Sequence, residues 1–242
     1  MNMIKLFNKK KRNDFSSQPD VVNRKTLHKN LDFLAVEEYK RIRANLDFIL
    51  ADDEKCPVIG VTSSLRGEGK STTSINLSYV LAEKGNKVLL IDGDLRIPSV
   101  AKKLRISDDF GLADLLKSKG AQTFEFQSHI LENWYVLPSG TIPPNPSELL
   151  GSKRMANILS KLREMFDYII IDLPPVNLVS DVISISNLIS GVLLVIREGY
   201  TEKKEVESCF RQLKMSDVNI LGCVINDSST GAAANKKNGY YK

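Results

Sequence analysis

The stretch SSLRGEGKSTTSINLSYVLAEKG, residues 63–85, is the most specific pattern in this 242-residue chain. It follows an apolar run, VIGVT, and continues into an apolar helical pattern. Its first part matches the spacing G-x-x-x-x-G-K-[ST] of a phosphate-binding loop, with Ser64 in place of the first glycine. Gly67 and Gly69 would let successive backbone N–H groups turn inward towards an anion. This strand–loop–helix context predicts a nucleotide site, and the simpler alternative is a turn that only caps a helix.

The residue types in the loop suggest individual roles. Lys70 is expected to reach the β- and γ-phosphates, the Ser71 hydroxyl to bind Mg²⁺, and Thr72 to contact an α-phosphate. The predicted nucleotide-binding residues are Ser64, Leu65, Arg66, Gly67, Glu68, Gly69, Lys70, Ser71 and Thr72.

Three carboxylates follow apolar runs that are typical of strands. In KVLLIDGDLR, Asp92 and Asp94 stand two positions apart near the end of the run, so we expect both to point the same way. In YIIIDLPP, Asp172 ends the run before two prolines. Parallel strands place ligand chemistry at their C-terminal ends, and Mg²⁺ prefers hard oxygen ligands. Each aspartate taken singly could be a strand-end cap, but together with the phosphate loop they predict a Mg-nucleotide site.

Short apolar runs alternate with helical patterns along the chain. The runs are VIGVT (58–62), KVLLID (87–92), WYVLP (134–138), YIIID (168–172), GVLLVI (191–196) and NILGCVI (219–225). Runs such as VLLI and YIII do not alternate polar with apolar residues, so the strands should be covered on both faces. The pattern predicts an α/β fold, a doubly wound and mainly parallel sheet of the P-loop NTPase class. Ahead of it, VEEYKRIRANLDFIL (36–50) predicts an amphipathic helix.

The positive charge is concentrated at the N-terminus. Residues 1–30 carry a net charge of +6, whereas the whole chain carries +5. Residues 31–242 therefore carry a net charge of −1. The cluster KLFNKKKR is either a solvated tail or a segment drawn to an anionic membrane surface. We expect a flexible basic arm over 1–30, one P-loop domain over 31–226 and a flexible tail over 227–242. We expect no nucleic-acid partner.

Other residue types point to few further functions. Cys56, Cys209 and Cys223 are odd in number and widely spaced, which fits a reducing cytosol better than a disulfide framework or a zinc site. His28 and His129 stand alone, so neither is assigned a catalytic or metal role. No stretch approaches the length of about eighteen apolar residues that a membrane span needs, and the basic start lacks the apolar core of a secretory signal.

In combination, SSLRGEGKST, LLIDGDLR and IIIDLPP resemble the Walker A, A-prime and B motifs of the bacterial tyrosine kinases that govern capsule and exopolysaccharide synthesis. The resemblance runs from about residue 36 to the C-terminus and includes LPSGTIPPNPSELL, a stretch typical of that family. It implies an ATP-dependent protein-tyrosine kinase in which Asp94 is the base and Arg96 the basic member of a D-x-D-x-R pattern. The implied catalytic residues are Lys70, Asp92, Asp94 and Asp172, and the implied Mg²⁺ ligands are Ser71, Asp92 and Asp172.

The same resemblance implies partners and a location. It corresponds to the cytoplasmic half of a two-polypeptide system whose membrane-embedded partner, a polysaccharide chain-length regulator, is a separate protein. Such a partner would recruit the kinase to the inner face of the cell membrane and complete its nucleotide site, so we expect weak autophosphorylation in isolation. A cognate tyrosine phosphatase is a further implied partner.

Two more segments gain a role from the resemblance. The family carries clustered C-terminal tyrosines as autophosphorylation sites, which makes Tyr240 and Tyr241 the implied phosphoacceptors, although this cluster is shorter than the usual one. Related kinases form rings through a helix with the pattern E-x-x-R-x-x-R, and the matching positions here are Glu37, Lys40 and Arg43. Lysine keeps the charge of arginine but loses its bidentate fork. The alternative for this helix is an ordinary docked amphipathic element.

Other functions fit the sequence less well. A partitioning or cell-division ATPase of the same superfold would carry an extra lysine early in the loop, where this chain has Leu65 followed by Arg66. A related iron–sulfur carrier would need a paired-cysteine motif. A nucleotide-dependent regulator without catalysis would not need the full set of lysine, serine and three aspartates that the motifs contain.

Overall fold

The computed structural model describes residues 31, 33–50, 55–118, 124–127 and 131–227. Within these residues one sheet contains the strands β1 (Val58–Ser63), β2 (Val88–Asp92), β3 (Trp134–Leu137), β4 (Tyr168–Asp172), β5 (Gly191–Arg197) and β6 (Ile220–Asn226). Their order across the sheet is β3-β2-β4-β1-β5-β6, and each neighbouring pair is parallel. The predicted strands and the parallel α/β fold class are confirmed.

Helices cover both faces of this sheet. They are α1 (Phe33–Ile49), α2 (Lys70–Glu83), α3 (Val100–Leu104), α4 (Leu112–Lys117), α5 (Pro146–Leu150), α6 (Lys153–Arg163), α7 (Asp181–Ile185) and α8 (Lys203–Met215). Helices α1 to α3 pack on one face, and α4 to α8 pack on the other. Along β2, Val88 and Leu90 pack in the layer of α1 to α3, while Leu89 and Ile91 pack in the layer of α4 to α8. None of the four is exposed. Burial on both faces explains why the strands are continuous apolar runs.

The C-terminal ends of the strands meet at one edge of the sheet. Asp92 at the end of β2 lies opposite Asp172 at the end of β4, which in turn lies opposite Val61 of β1. From β1 the chain first builds the sheet on one side, with β2, β3 and β4, and then on the other, with β5 and β6. The end of β1 is therefore the topological switch point, where α/β sheets of this kind bind their ligands.

Helix α1 packs on the same face of the sheet as α2, and the helix predicted over 36–50 is confirmed, starting three residues and ending one residue earlier. Leu46 is its buried contact with the core. Asp47 accepts hydrogen bonds from the Tyr168 hydroxyl (3.0 Å) and from Nζ of Lys84 (2.8 Å). None of the helices in the described residues is both long and apolar enough to cross a membrane. The predicted arm over 1–30 and the tyrosines at 240 and 241 lie outside the described residues.

Candidate nucleotide-binding active site

The predicted phosphate loop, Ser64–Gly69, connects β1 to α2. Gly67 and Gly69 have φ values of 83° and 99°, in the left-handed region that glycine adopts without strain. A Cβ atom at Gly69 would also collide with Nδ2 of Asn226. The backbone itself therefore requires the two glycines that the motif contains.

The start of α2 offers free hydrogen-bond donors. Gly69 is its N-cap residue and supplies no side-chain cap. Among the described residues, the backbone N–H groups of Gly67, Gly69, Lys70 and Ser71 donate to no protein acceptor. Unsatisfied N–H groups at a helix start, together with the positive end of the helix dipole, favour an anion such as a phosphate.

The carbonyl groups of the same loop are bonded from outside the site. The Tyr200 hydroxyl donates to the carbonyl of Arg66 (3.1 Å), and Nδ2 of Asn226 donates to the carbonyl of Glu68 (2.8 Å). Tyr200 lies in the turn that follows β5, and Asn226 is the last residue of β6. With its carbonyls turned outward, the loop leaves its N–H groups for a ligand.

Glu68 is the one acidic residue of the loop, and its side chain has no exposed surface. Its carboxylate accepts hydrogen bonds from the backbone N–H of Leu65 (2.6 Å) and from the Thr201 hydroxyl. The sequence placed Glu68 among the nucleotide-binding residues without a distinct role. These contacts make it a residue that fixes the shape of the loop.

The hydrogen bond from Asn226 to the Glu68 carbonyl, which we call the brace, provides a first test of how the loop is held. Replacing Asn226 by alanine removes the bond to the Glu68 carbonyl, and a net loss of about 1 kcal/mol predicts roughly fivefold weaker Mg-ADP binding. The measurement is a titration with a fluorescent ADP analogue. Asn219→Ala is the matched control, because Nδ2 of Asn219 also donates to a backbone carbonyl at 2.8 Å, that of Ser190, but at the opposite end of β6. Equal affinities in the two variants would contradict the brace.

Lys70 lies among the predicted carboxylates. Its Nζ is 2.9 Å from Oδ2 of Asp94, 3.6 Å from Oδ1 of Asp172 and 3.4 Å from the Ser71 hydroxyl. Burial alone would lower the pKa of Lys70, but the attraction of Asp172 and Asp94 outweighs it and raises the pKa. The lysine is therefore fully protonated, as a phosphate-binding lysine must be.

Asp172 is fully buried at the end of β4. Its Oδ1 accepts a hydrogen bond from Ser74 (3.2 Å), while Oδ2 has no hydrogen-bond partner in the described residues. Burial raises the pKa of Asp172, and Lys70 opposes that rise. An unpartnered buried carboxylate oxygen is costly unless a ligand completes it.

Asp92 is also fully buried, but its contacts differ from the prediction. β2 ends at Asp92, so Asp94 is carried by the following loop rather than by the strand. Oδ2 of Asp92 accepts the backbone N–H groups of Ser99 and Val100 (both 3.0 Å). Its Oδ1 accepts the backbone N–H of Asp94 (3.3 Å), which is the strand-end contact that the sequence left as the alternative for a single aspartate. Asp92 therefore holds both the end of β2 and the start of α3.

The titration of Asp92 leads to a second prediction. Burial, with a further contribution from Asp172, raises the pKa of Asp92 to about 8. Between roughly pH 4 and 8 the folded protein then holds a proton that the unfolded chain has lost, so stability falls as pH rises. We expect the Tm of ligand-free wild type, relative to that of Asp92→Asn, to fall from pH 5 to pH 8. A pH-independent difference between the two proteins would contradict this assignment.

The donor set fits Mg²⁺ rather than a metal held by protein alone. No three His, Cys, Asp or Glu side chains of the described residues form a metal-binding group. What the site offers is the free oxygen of Asp172 and the nearly buried Ser71 hydroxyl. Mg²⁺ is typically bound through one or two carboxylates, with phosphate oxygens and water completing its shell.

Arg96 binds a partner that the sequence did not reveal. Its Nε and Nη2 form a bidentate salt bridge with the carboxylate of Asp181, at 3.1 and 3.0 Å. Nη2 also donates to the Ser147 hydroxyl (3.0 Å). Ser147 in turn donates to Asp181 (2.5 Å), which has no exposed surface. This cluster ties the loop after β2 to α5 and α7. Ser147 belongs to LPSGTIPPNPSELL, so the sequence did point to its segment. No motif near Asp181 pointed to that residue.

The proposed oligomerisation residues are engaged within the chain. Nζ of Lys40 pairs with Glu37 at 2.8 Å on the surface of α1. Nη1 of Arg43 donates to the carbonyl of Val80 on α2 (3.0 Å). Arg43 therefore anchors α1 to the helix that begins at the phosphate loop.

A parallel sheet with a glycine loop at its switch point, an uncapped helix start and carboxylates from neighbouring strands defines a P-loop nucleotide-binding protein. Residues 56–200 match a family model described as AAA domain. The chain is 37% identical to tyrosine-protein kinase YwqD of Bacillus subtilis (strain 168) over 205 residues, 85% of each chain. It is 36% identical to tyrosine-protein kinase CpsD of Streptococcus pneumoniae serotype 4 over 201 residues, 82% of this chain and 87% of the relative.

A solved structure gives the same result. The kinase domain of the Escherichia coli tyrosine kinase ETK matches with a TM-score of 0.73 and 32% identity, covering 81% of this chain and 78% of that one. This chain therefore belongs to the bacterial tyrosine-protein kinase family, which confirms the resemblance found in the sequence. The septum site-determining protein MinD of Pyrococcus horikoshii is a more distant structural relative, with a TM-score of 0.59 and 26% identity.

Proposed function

We propose that this chain is an ATP-dependent protein-tyrosine kinase that phosphorylates its own C-terminal tyrosines, Tyr240 and Tyr241. In this proposal it regulates the synthesis and chain length of a capsular or exopolysaccharide together with a membrane-embedded partner. The observation that carries the proposal is Lys70, held between Asp94 and Asp172 at the uncapped start of α2.

The phosphates of ATP are bound by the loop and by Lys70. The free N–H groups between Gly67 and Ser71 surround the phosphate chain, and Lys70 turns towards the β- and γ-phosphates. Thr72, two positions after Lys70 on α2, contacts the α-phosphate. Ser71, Asp172 and Asp92 would hold Mg²⁺, and the ion would supply positive charge that neutralises the phosphates.

Asp94 is the base of the transfer step. One of its oxygens accepts the backbone N–H of Ile97 (3.0 Å), which orients the carboxylate, and the other is paired with Lys70. When Lys70 turns to the phosphates, that second oxygen is released and can accept the proton of an incoming tyrosine hydroxyl. The tyrosine oxygen then bonds to the γ-phosphorus as the bond to the ADP oxygen breaks.

The proposed acceptor and partners are supported by the chain's membership of the family. Tyr240 and Tyr241 belong to a tail that begins after β6, and a neighbouring copy in a ring would receive that tail in its own site. Glu37, Lys40 and Arg43 on α1 would contribute to the ring interface. The membrane-embedded chain-length regulator would recruit the kinase to the inner face of the cell membrane and raise its activity, and a tyrosine phosphatase would reverse the modification.

The products of ATP turnover test this proposal. The full chain is incubated with Mg²⁺ and γ-labelled ATP, with and without the cytoplasmic peptide of the partner, and label is measured in phosphotyrosine and in free phosphate. We expect label in phosphotyrosine, increased by the peptide and absent from Lys70→Met. Label released only as free phosphate would favour the partitioning-type ATPase instead.

A further inference from the structure

We propose that Lys103 is a second phosphate-binding lysine of the nucleotide site and that it binds the α-phosphate. The inference rests on the proposed function, because it takes the ligand to be a nucleoside di- or triphosphate. Nζ of Lys103 lies 3.4 Å from Oγ1 of Thr72. Thr72 is the third residue of α2 and directly follows Ser71, so Lys103 reaches the same helix start that binds the phosphates.

The fold holds Lys103 in this place. Helix α3 begins on the carboxylate of Asp92, which accepts the N–H groups of Ser99 and Val100. The backbone N–H of Lys103 donates to the carbonyl of Ser99 (3.0 Å), so its position is fixed relative to that anchor. Asp92 therefore links the end of β2 to the helix that carries Lys103.

The charge of Lys103 is incompletely compensated. Lys103 donates a hydrogen bond to a neutral hydroxyl, and in the described part of the chain no carboxylate forms an ion pair with it. Lys70, by comparison, has Asp94 and Asp172 close by. A partly buried ammonium group gains most from an anionic acceptor, and a phosphate bound beside Thr72 would supply one.

The two lysines would then bind different parts of the phosphate chain. Lys70 serves the β- and γ-phosphates at the end where the carboxylates lie, and Lys103 serves the α-phosphate at the other end. The loop itself contains no lysine before Lys70, because position 65 is leucine. Arg66 is the one cation of the loop ahead of Lys70, and its side chain is exposed, so Lys103 would add a second positive charge from α3.

Nucleotide titrations of the full chain test the proposal. Mg-ADP and Mg-ATP affinities are measured for wild type, Lys103→Met and Lys103→Arg, with Lys102→Met as the control because Lys102 is an exposed neighbour on the same helix. We expect Lys103→Met to bind both nucleotides about tenfold more weakly, since both contain the α-phosphate. Lys103→Arg should recover most of that loss, and Lys102→Met should match wild type.

The outcomes separate this inference from the proposed function. If wild type binds neither nucleotide, the proposed kinase site itself is wrong. If wild type binds and Lys103→Met binds equally well, or loses affinity for ATP alone, Lys103 does not bind the α-phosphate. The ligand-free Tm of Lys103→Met should stay within about 2 °C of wild type. A larger fall that Lys103→Arg does not restore would assign Lys103 a structural role and overturn the proposal.

Discussion

Replacing Lys70 by methionine is expected to lower tyrosine phosphorylation by about 10³-fold or more. The lysine lies at the start of α2 beside the free N–H groups of the loop, and a cationic side chain that stabilises a transferring phosphoryl group contributes about 10³-fold or more. The measurement is the initial rate of phosphotyrosine formation with Mg-ATP and the partner peptide. A rate within tenfold of wild type would contradict the role of Lys70.

Folding needs a separate control in that variant. Methionine leaves Asp94 and the buried Asp172 without their counter-ion, so the protein should also lose stability. Lys70→Arg keeps the positive charge beside both carboxylates while changing the shape of the group that meets the phosphates. We expect Lys70→Arg to stay close to wild type in Tm and still to lose most of its activity, which assigns the loss to phosphate binding.

Asp94→Asn is expected to lower the rate of tyrosine phosphorylation by about 10²–10³-fold while Mg-ADP still binds. Asparagine keeps an oxygen for the N–H of Ile97 but cannot accept the tyrosine proton. Loss of the ion pair frees Lys70 for the phosphates, so nucleotide affinity should be unchanged or higher. The two quantities are measured on the same preparation by rate assay and nucleotide titration.

The control for Asp94→Asn is Asp109→Asn. Asp109 is exposed, and its carboxylate accepts a hydrogen bond from Ser107 rather than from a residue of the phosphate loop. It should leave both the rate and the nucleotide affinity unchanged. A nearly normal rate in Asp94→Asn would assign the base to another group, and a parallel loss of nucleotide binding would make Asp94 a binding residue instead.

The sheet and the loop could be predicted because local physics determines them. Strands covered on both faces require continuous apolar runs, and YIIID is such a run at 168–172. Gly67 and Gly69 are required at positive φ, so the motif spacing alone located the loop. The same local reasoning found α1, whose apolar residues recur at helical spacing.

The contacts that shape the site could not be predicted, because they join distant parts of the chain. Asn226 reaches the carbonyl of Glu68 across 158 positions, and Arg96 meets Asp181 across 85. Neither pair has a spacing or motif that a single sequence reveals. Thr72 and Lys103 are likewise brought together only by the packing of α3 beside α2.

For Asp92 the sequence predicted the position correctly but not all of its hydrogen bonds. The sequence placed it at the end of a strand, and β2 does end at Asp92. Its Oδ2 nevertheless accepts two backbone N–H groups at the start of α3, which no residue pattern around it indicated. The hydrogen bonds of a buried carboxylate depend on the path of the following loop, and that path is set by tertiary packing.

The most direct test of the central claim is site-resolved mass spectrometry of residues 227–242 after incubation of the full chain with Mg-ATP and the partner's cytoplasmic peptide. The account predicts phosphate on Tyr240 or Tyr241, and an unmodified segment in Lys70→Met treated in parallel. ATP turnover by the wild-type chain with both tyrosines unmodified would contradict it.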